Sequence, residues 1–366
     1  MGLNDLGKNN KKTEENSNFL SIGEVFARNR EYISSFGADA EKINGQFIKK
    51  GRRDTMRIGT VSCPSGKLVI GDPLAYIGTG KYSPELEIQV SRGEYPVDIS
   101  IIRSHNFGLR ICSARLKISE GRAVRFELAR PTENTAVNKG PDGGWTGFPV
   151  DAGMAAFMDA AVCKKYASFI DEWHKKNPDK NYYDDYFAEI FAESYEKTPD
   201  FQRKGGDFIE WTIPETQYKT TFFATGFGDG FYQAFWGYDE KGEICELVLP
   251  FVDADAIDTA ENGFEEMERR MIQPNGCLAT KKLMENVENL GYLYRGNAVK
   301  NVPDSGWRLF VGDEDDAYLA DNDNIEVVPL EYICKIVPAV FPLLDSPAGS
   351  AYYKNQNGEF VFEKKA

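Results

Sequence analysis

A chain of 366 residues, 42% hydrophobic and 13% aromatic, carries enough apolar side chains for one large core or two smaller ones, which excludes a disordered polymer. Its 57 acidic against 43 basic residues leave a formal net charge of -14, a field that repels nucleic acid and anionic membrane and speeds encounter with a basic partner. The six cysteines lack C-x-x-C spacing and no apolar run approaches the ~20 residues of a bilayer span, which together imply reduced thiols and a cytoplasmic protein.

Residues 1–18 are rich in Asn, Lys and Glu with little to bury and are expected to form a flexible tail. Ser21 with Glu24 has capping-box spacing, and Ile22, Val25, Phe26, Ile33 and Phe36 give a helical apolar stripe ended by Gly37. From Arg57 short β-type runs follow, at Leu68–Ile70, Leu86–Val90, Val97–Ile102, Leu109–Ile118 and Ala123–Ala129. After a Gly- and Pro-rich loop from Pro131 to Gly147, helical spacing is read over Met154–Trp173 and Tyr183–Tyr195, broken by Asn177-Pro178. Strands resume at Phe208–Ile213, Thr220–Ala224, Phe231–Tyr238 and Ile244–Phe251, the last two joined by the hairpin loop Asp239-Glu240-Lys241-Gly242.

Residues 254–275 are acidic with a helical period and are expected to link two domains, 19–253 and 276–366. In the second, strands are expected at Tyr292–Tyr294, Trp307–Val311, Ile325–Val328 and Phe360–Phe362, with short helices near Leu283 and Tyr332. The expected class is α+β: a larger domain of mostly antiparallel sheet with an inserted helical pair, and a small C-terminal α+β domain.

Catalytic chemistry finds little support in the residue types. His105 and His174 are the whole imidazole supply, one in a polar turn and one at a helix end, where surface roles suffice. No cofactor or metal is expected. Asp313-Glu314-Asp315-Asp316 lacks the Gly and Glu that a calcium loop places at its sixth and twelfth positions. Gly226-Phe227-Gly228-Asp229-Gly230 has neither dinucleotide nor P-loop spacing and reads as a turn between strands. Asp72, Asp151, Asp159 and Asp229 are the carboxylates that a hydrolase would use if three of them met in one cleft. The basic run Lys49-Lys50-Gly51-Arg52-Arg53 with Arg57 reads as a solvated linker rather than a nucleic-acid patch.

Two stretches resemble known families. Gly276-Cys277-Leu278-Ala279-Thr280, Gly291-Tyr292-Leu293-Tyr294-Arg295, Asp304-Ser305-Gly306-Trp307-Arg308, Gly312-Asp313-Glu314-Asp315 and Leu343-Leu344-Asp345-Ser346-Pro347, over about 276–364, closely resemble domain of unknown function twenty-one eighty-five, also called immunity protein thirty-three. Gly71-Asp72-Pro73-Leu74, Gly93-Glu94-Tyr95-Pro96-Val97, Val150-Asp151-Ala152-Gly153, Phe157-Met158-Asp159 and Gly226-Phe227-Gly228-Asp229-Gly230, over about 60–253, resemble domain of unknown function forty-two forty-one. In that family a cysteine often precedes the Phe-Met-Asp triplet; Ala156 stands there, so no thiol nucleophile is implied. The first resemblance implies a non-catalytic cytosolic antidote that binds a co-encoded toxin, for which a basic domain would suit the charge. Its surface is expected at Trp307, Arg308, Asp313, Glu314, Asp315, Asp316 and Tyr318, an aromatic, arginine and acidic mixture. A carboxylate hydrolase and a ligand-binding scaffold are the alternatives.

Overall fold

The computed structural model describes residues 19–34, 39–132 and 147–363; the expected tail 1–18, Phe36, Gly37 and most of the Pro131–Gly147 loop lie outside them. The chain begins with α1 (Ile22–Ser34), α2 (Ala40–Gln46), β1 (Arg53–Cys63), β2 (Lys67–Gly71), β3 (Glu85–Gln89), β4 (Gly93–Ser104), β5 (Gly108–Lys117) and β6 (Arg125–Leu128). Next come β7 (Phe148–Val150), β8 (Met154–Asp159), α3 (Ala160–Lys176), α4 (Ala188–Lys197), β9 (Phe208–Thr212), β10 (Lys219–Ala224), β11 (Gly230–Tyr232), β12 (Phe235–Tyr238) and β13 (Ile244–Pro250). The remainder comprises α5 (Ala254–Arg270), β14 (Gly276–Thr280), α6 (Lys281–Glu285), β15 (Tyr292–Arg295), β16 (Asp304–Phe310), α7 (Asp316–Ala320), β17 (Ile325–Pro329), α8 (Leu330–Ile336), β18 (Ala351–Lys354) and β19 (Phe360–Phe362). Two compact units result: Arg28–Asp255, and Ala256 onward together with the N-terminal segment to Ala27. The fold is α+β. Among the described residues no helix is long and apolar enough to cross a membrane.

In the Arg28–Asp255 unit, one antiparallel sheet has the order β1-β4-β5-β13-β12-β6 and a second β3-β2-β8-β10-β9. Strand alternation turns Val97, Ile99 and Ile101 inward, while Phe157, Phe222 and Phe223 are fully enclosed. β1 crosses close to β10: Thr221 donates to the Thr60 carbonyl at 3.1 Å, and the Lys219 amide to Ser62 Oγ at 3.0 Å. The approach requires glycine at 59, where a Cβ would stand 2.7 Å from Thr221 Oγ1 and 2.9 Å from Glu210 Cβ. Tyr32, Ile43 and Phe47 cover Phe126, Phe235 and Val248 of the first sheet.

Met154–Asp159, expected as the start of a helix, is instead a strand in the middle of the second sheet. All six of its residues are buried, so the run shows neither period, and its alanines read as helical. Asp159 ends it and caps α3. One carboxylate oxygen accepts the Ala161 amide at 2.8 Å; the other accepts the Ser65 and Gly66 amides, the Ser65 hydroxyl and the Cys63 thiol at 2.8–3.2 Å. α3 then packs Tyr166 edge-on against Trp211 and Phe222, and α4 follows as the second member of the helical pair. The basic run is no linker: Arg53 opens β1, is 5% exposed and pairs with Asp255 at 2.8 Å, while Lys49 pairs with Asp54 and Arg57 with Asp98.

The second unit holds one sheet, β17-β14-β16-β15-β18-β19, antiparallel except for the β14–β16 pair. β14 and β18 are strands the sequence pattern does not announce. Lys335 of α8, 5% exposed, is clamped between Glu268 of α5 and Glu331, each at 2.7 Å.

Every partner of the Asp159 carboxylate is a donor, so neither alanine nor asparagine can replace it. Asp159→Ala and Asp159→Asn should each lower the unfolding free energy by ~3 kcal/mol, read from urea denaturation. An asparagine variant as stable as the parent would refute this account of the cap.

Candidate functional site

Among the described residues, α6 and α8 enclose their apolar side chains with one face of the C-terminal sheet, while α7 only borders the other. Alternation sends Cys277, Ala279, Leu293, Trp307 and Leu309 to the enclosed face, all buried, with Leu283 of α6 and Leu330, Ile333 and Cys334 of α8 also enclosed. The opposite face receives Leu278, Arg308, Phe310, Tyr292, Tyr294 and Tyr353, aligned by the pairings Leu278↔Arg308, Tyr294↔Arg308, Tyr292↔Phe310 and Tyr292↔Tyr353. These residues, with Ile325 and with Leu319 of α7, line a groove of about 700 Å³.

The groove is aromatic and fixed in shape. Tyr294 stacks on Phe310 with ring centroids 5.7 Å apart and planes at 9°, and Tyr292 leans on both at 6.3 and 6.1 Å. Tyr294 and Tyr353 nevertheless remain 37% and 45% exposed, and Val327 on the edge strand β17 is 70% exposed. Arg308 is held from below: Nη1 and Nη2 reach the two oxygens of Asp304 at 2.8 and 2.9 Å. Asp304 also accepts the Val299 and Gly306 amides, and the Arg308 guanidinium, ahead of these amides, holds its carboxyl well below the usual carboxylate range. Burial, and then the hydrogen bond to Glu363 at 2.9 Å, pushes the Tyr292 hydroxyl up to about 12, so it stays a donor.

The residues expected to form the surface are divided by this geometry. Trp307 is a correction: it is fully buried, on the covered face, and cannot touch a partner, because in a strand the neighbour of the outward Arg308 must point inward. Glu314 lines the groove but also ties it together, accepting from Thr280 Oγ1 and from the Val311 and Gly312 amides at 2.7–2.9 Å. Asp315 caps α7 through the Tyr318 amide, Asp313 pairs with Lys282 at 2.9 Å, and Tyr318 accepts the Lys282 amide. Asp316 is exposed. The groove aromatics Tyr292, Tyr294, Phe310 and Tyr353 escape a reading of single residues. Their signal is the period of two: Tyr-Leu-Tyr and Trp-Arg-Leu-Phe, placed side by side, put Leu293, Trp307 and Leu309 inward and the rings of Tyr292, Tyr294 and Phe310 on Arg308's side.

Of the four carboxylates of the larger unit, three lie near one another and one stands apart. Asp72 is fully buried and accepts the Leu74, Asp151 and Ala152 amides at 2.7–3.0 Å; burial raises its pKa against these hydrogen bonds. Asp151 and Asp229 are exposed and flank the Gly230↔Val150 pairing, so three of the four lie near one another. Asp159 is at the other end of β8, spent on its cap. Among the described residues no group of three or more His, Cys, Asp or Glu side chains is arranged to hold a metal ion. His105 and His174 are exposed. The thiols are unbridged, and burial raises those of Cys63, Cys163, Cys245, Cys277 and Cys334 above their ordinary value.

Comparison with known proteins gives two matches. The family model described as a protein of unknown function, DUF4241, matches residues 61–249, and the one described as the immunity protein Imm33 domain matches residues 277–363. No curated protein and no solved structure matches the chain.

The Asp304 carboxyl is depressed in the fold, so its contribution is complete above the unfolded value of about 4 and is lost as pH falls through the folded value. Asp304→Asn should therefore weaken the chain by ~2 kcal/mol at neutral pH while flattening its loss of stability in acid. Urea midpoints taken from neutral pH down into the acid range decide this; parallel curves for parent and variant would contradict it.

Proposed function

The chain belongs to the DUF4241 family and carries an Imm33 immunity domain at residues 277–363, and from that premise we propose that it is a non-catalytic immunity protein that binds and neutralises a co-encoded toxin. The observation that carries the reading is the aromatic groove on the uncovered sheet face of the immunity domain. A folded domain rarely leaves stacked tyrosine and phenylalanine rings in contact with water unless something seats on them, and Tyr, Trp and Arg are the residues that dominate interface energies. Here the rings are already ordered against one another and Arg308 is already held by Asp304, so binding costs little side-chain entropy.

Net charge supports a basic partner and disfavours nucleic acid and anionic membrane. Action in the cytoplasm suits six unbridged cysteines. The larger unit would act as a scaffold: its buried carboxylates Asp72 and Asp159 have their oxygens occupied by amides, hydroxyl and thiol.

Co-expression of the tagged chain with the proteins encoded beside it should recover one of them and suppress its toxicity. Tyr294→Ala combined with Phe310→Ala should weaken that complex at least tenfold, about 1.4 kcal/mol, with the melting temperature nearly unchanged. Recovery of no neighbouring product and no protection of cells would overturn the reading.

A further inference from the structure

The groove is electrically lopsided. Between Arg308 and Lys335 the chain has eight acidic residues and no basic one. Among the described residues only Asp313, with Lys282, and Glu331, with Lys335, have a cationic partner, which leaves Glu314, Asp315, Asp316, Asp321, Asp323 and Glu326 without one. Glu314 and Leu319 line the groove from this segment, and Asp316 stands one helical turn before Leu319, on the same side of α7. The cations within the groove do not offset that rim. Arg308 is matched by Asp304 through two short hydrogen bonds, and Lys354 belongs to β18, separated from β14 by β16 and β15, where it donates to the Glu288 carbonyl.

We infer that the groove receives a basic side chain, arginine or lysine, carried on an otherwise apolar segment of the protein partner. Its aliphatic stem lies along Leu278, Ile325 and Leu319, and its charge sits between the exposed ring of Tyr294 and the acidic segment 313–326, of which Glu314 lines the groove. A cation is the one group that both halves of this site favour: ring faces attract it through their quadrupole, and unpaired carboxylates attract it through their charge. An acidic segment would meet repulsion at the rim, and a second copy of this net-negative chain would bring more of the same charge. Lys354 at the far side gives the segment a direction, with its basic end toward α7.

This inference rests on the groove being the partner surface, and the test separates the two. In the complex recovered by co-expression, Asp316→Lys with Asp323→Lys, both exposed, should weaken binding at least tenfold and abolish its sensitivity to salt. Unchanged affinity in that double variant, together with loss of binding on Tyr294→Ala and Phe310→Ala, overturns the basic-side-chain inference and leaves the immunity reading standing. A second arm needs no partner: the full chain is titrated with Ac-Leu-Arg-Leu-NH2 and with the same tripeptide bearing citrulline, the neutral isostere. Shifts in the NMR methyl signals of Leu278, Leu319 and Ile325 should saturate at least tenfold earlier with arginine. Equal response to both peptides, or response to neither, overturns the inference.

Discussion

The immunity domain is governed by one constraint: a strand points alternate side chains to opposite faces, and among the described residues one face of this sheet is enclosed by α6 and α8 while the other lines the groove. Once Trp307, Leu309 and Leu293 are committed to the interior, Arg308, Phe310, Tyr292 and Tyr294 have no choice but the other side. Sliding β16 by one residue would bury Arg308 and expose Trp307, and sliding β15 would bury Tyr292 and Tyr294, so register and groove are specified together. The Asp304–Arg308 pair reinforces this, because the carboxylate sits four residues earlier on the same strand and anchors the guanidinium over its own β-sheet. Leaving apolar area in water forgoes about 25 cal/mol for each Å² that could have been covered, a cost that a monomeric domain would ordinarily avoid by adding a helix.

In the larger unit carboxylates do mechanical work instead. Asp72 and Asp159 both lie at the junction of the second sheet with a loop, and both collect amides from segments distant in sequence: Asp151 and Ala152 in one case, Ser65 and Gly66 in the other. A buried acceptor with three to five donors fixes where a loop crosses a strand end, in a way apolar packing cannot. The same two residues stand out in a linear reading because an aspartate between glycine and proline, or at the end of an apolar run, is also where a reactive carboxylate can sit.

Much of the architecture is written locally. The antiparallel strands of the larger unit, the hairpin at Asp239–Gly242, the capping box at Ser21 and Glu24 and the helix ending before Pro178 all follow from turn chemistry and spacing. What escapes is set by tertiary context. β8 is buried on both faces and so loses the alternation that marks a strand; β1 mixes exposed and buried residues around the bulge at Arg57 and Gly59; β14 and β18 are short strands recognisable only from their neighbours. The groove was half legible. Arg308 and the acidic loop stand out as residue types, whereas the aromatic floor is a property of two strands taken together, and Trp307 misleads because its size says interface while its parity says core.

The edge strand β17 carries a last consequence. It is short, ends in Pro329, presents much of Val327 to water, carries Glu326 and is preceded by Asp321 and Asp323. Identical edges are the natural templates for end-to-end stacking of sheets into fibres. Here each would-be neighbour arrives with the same cluster of negative charge, so the molecule polices its own colloidal behaviour: like repels like along this edge before the strands can pair.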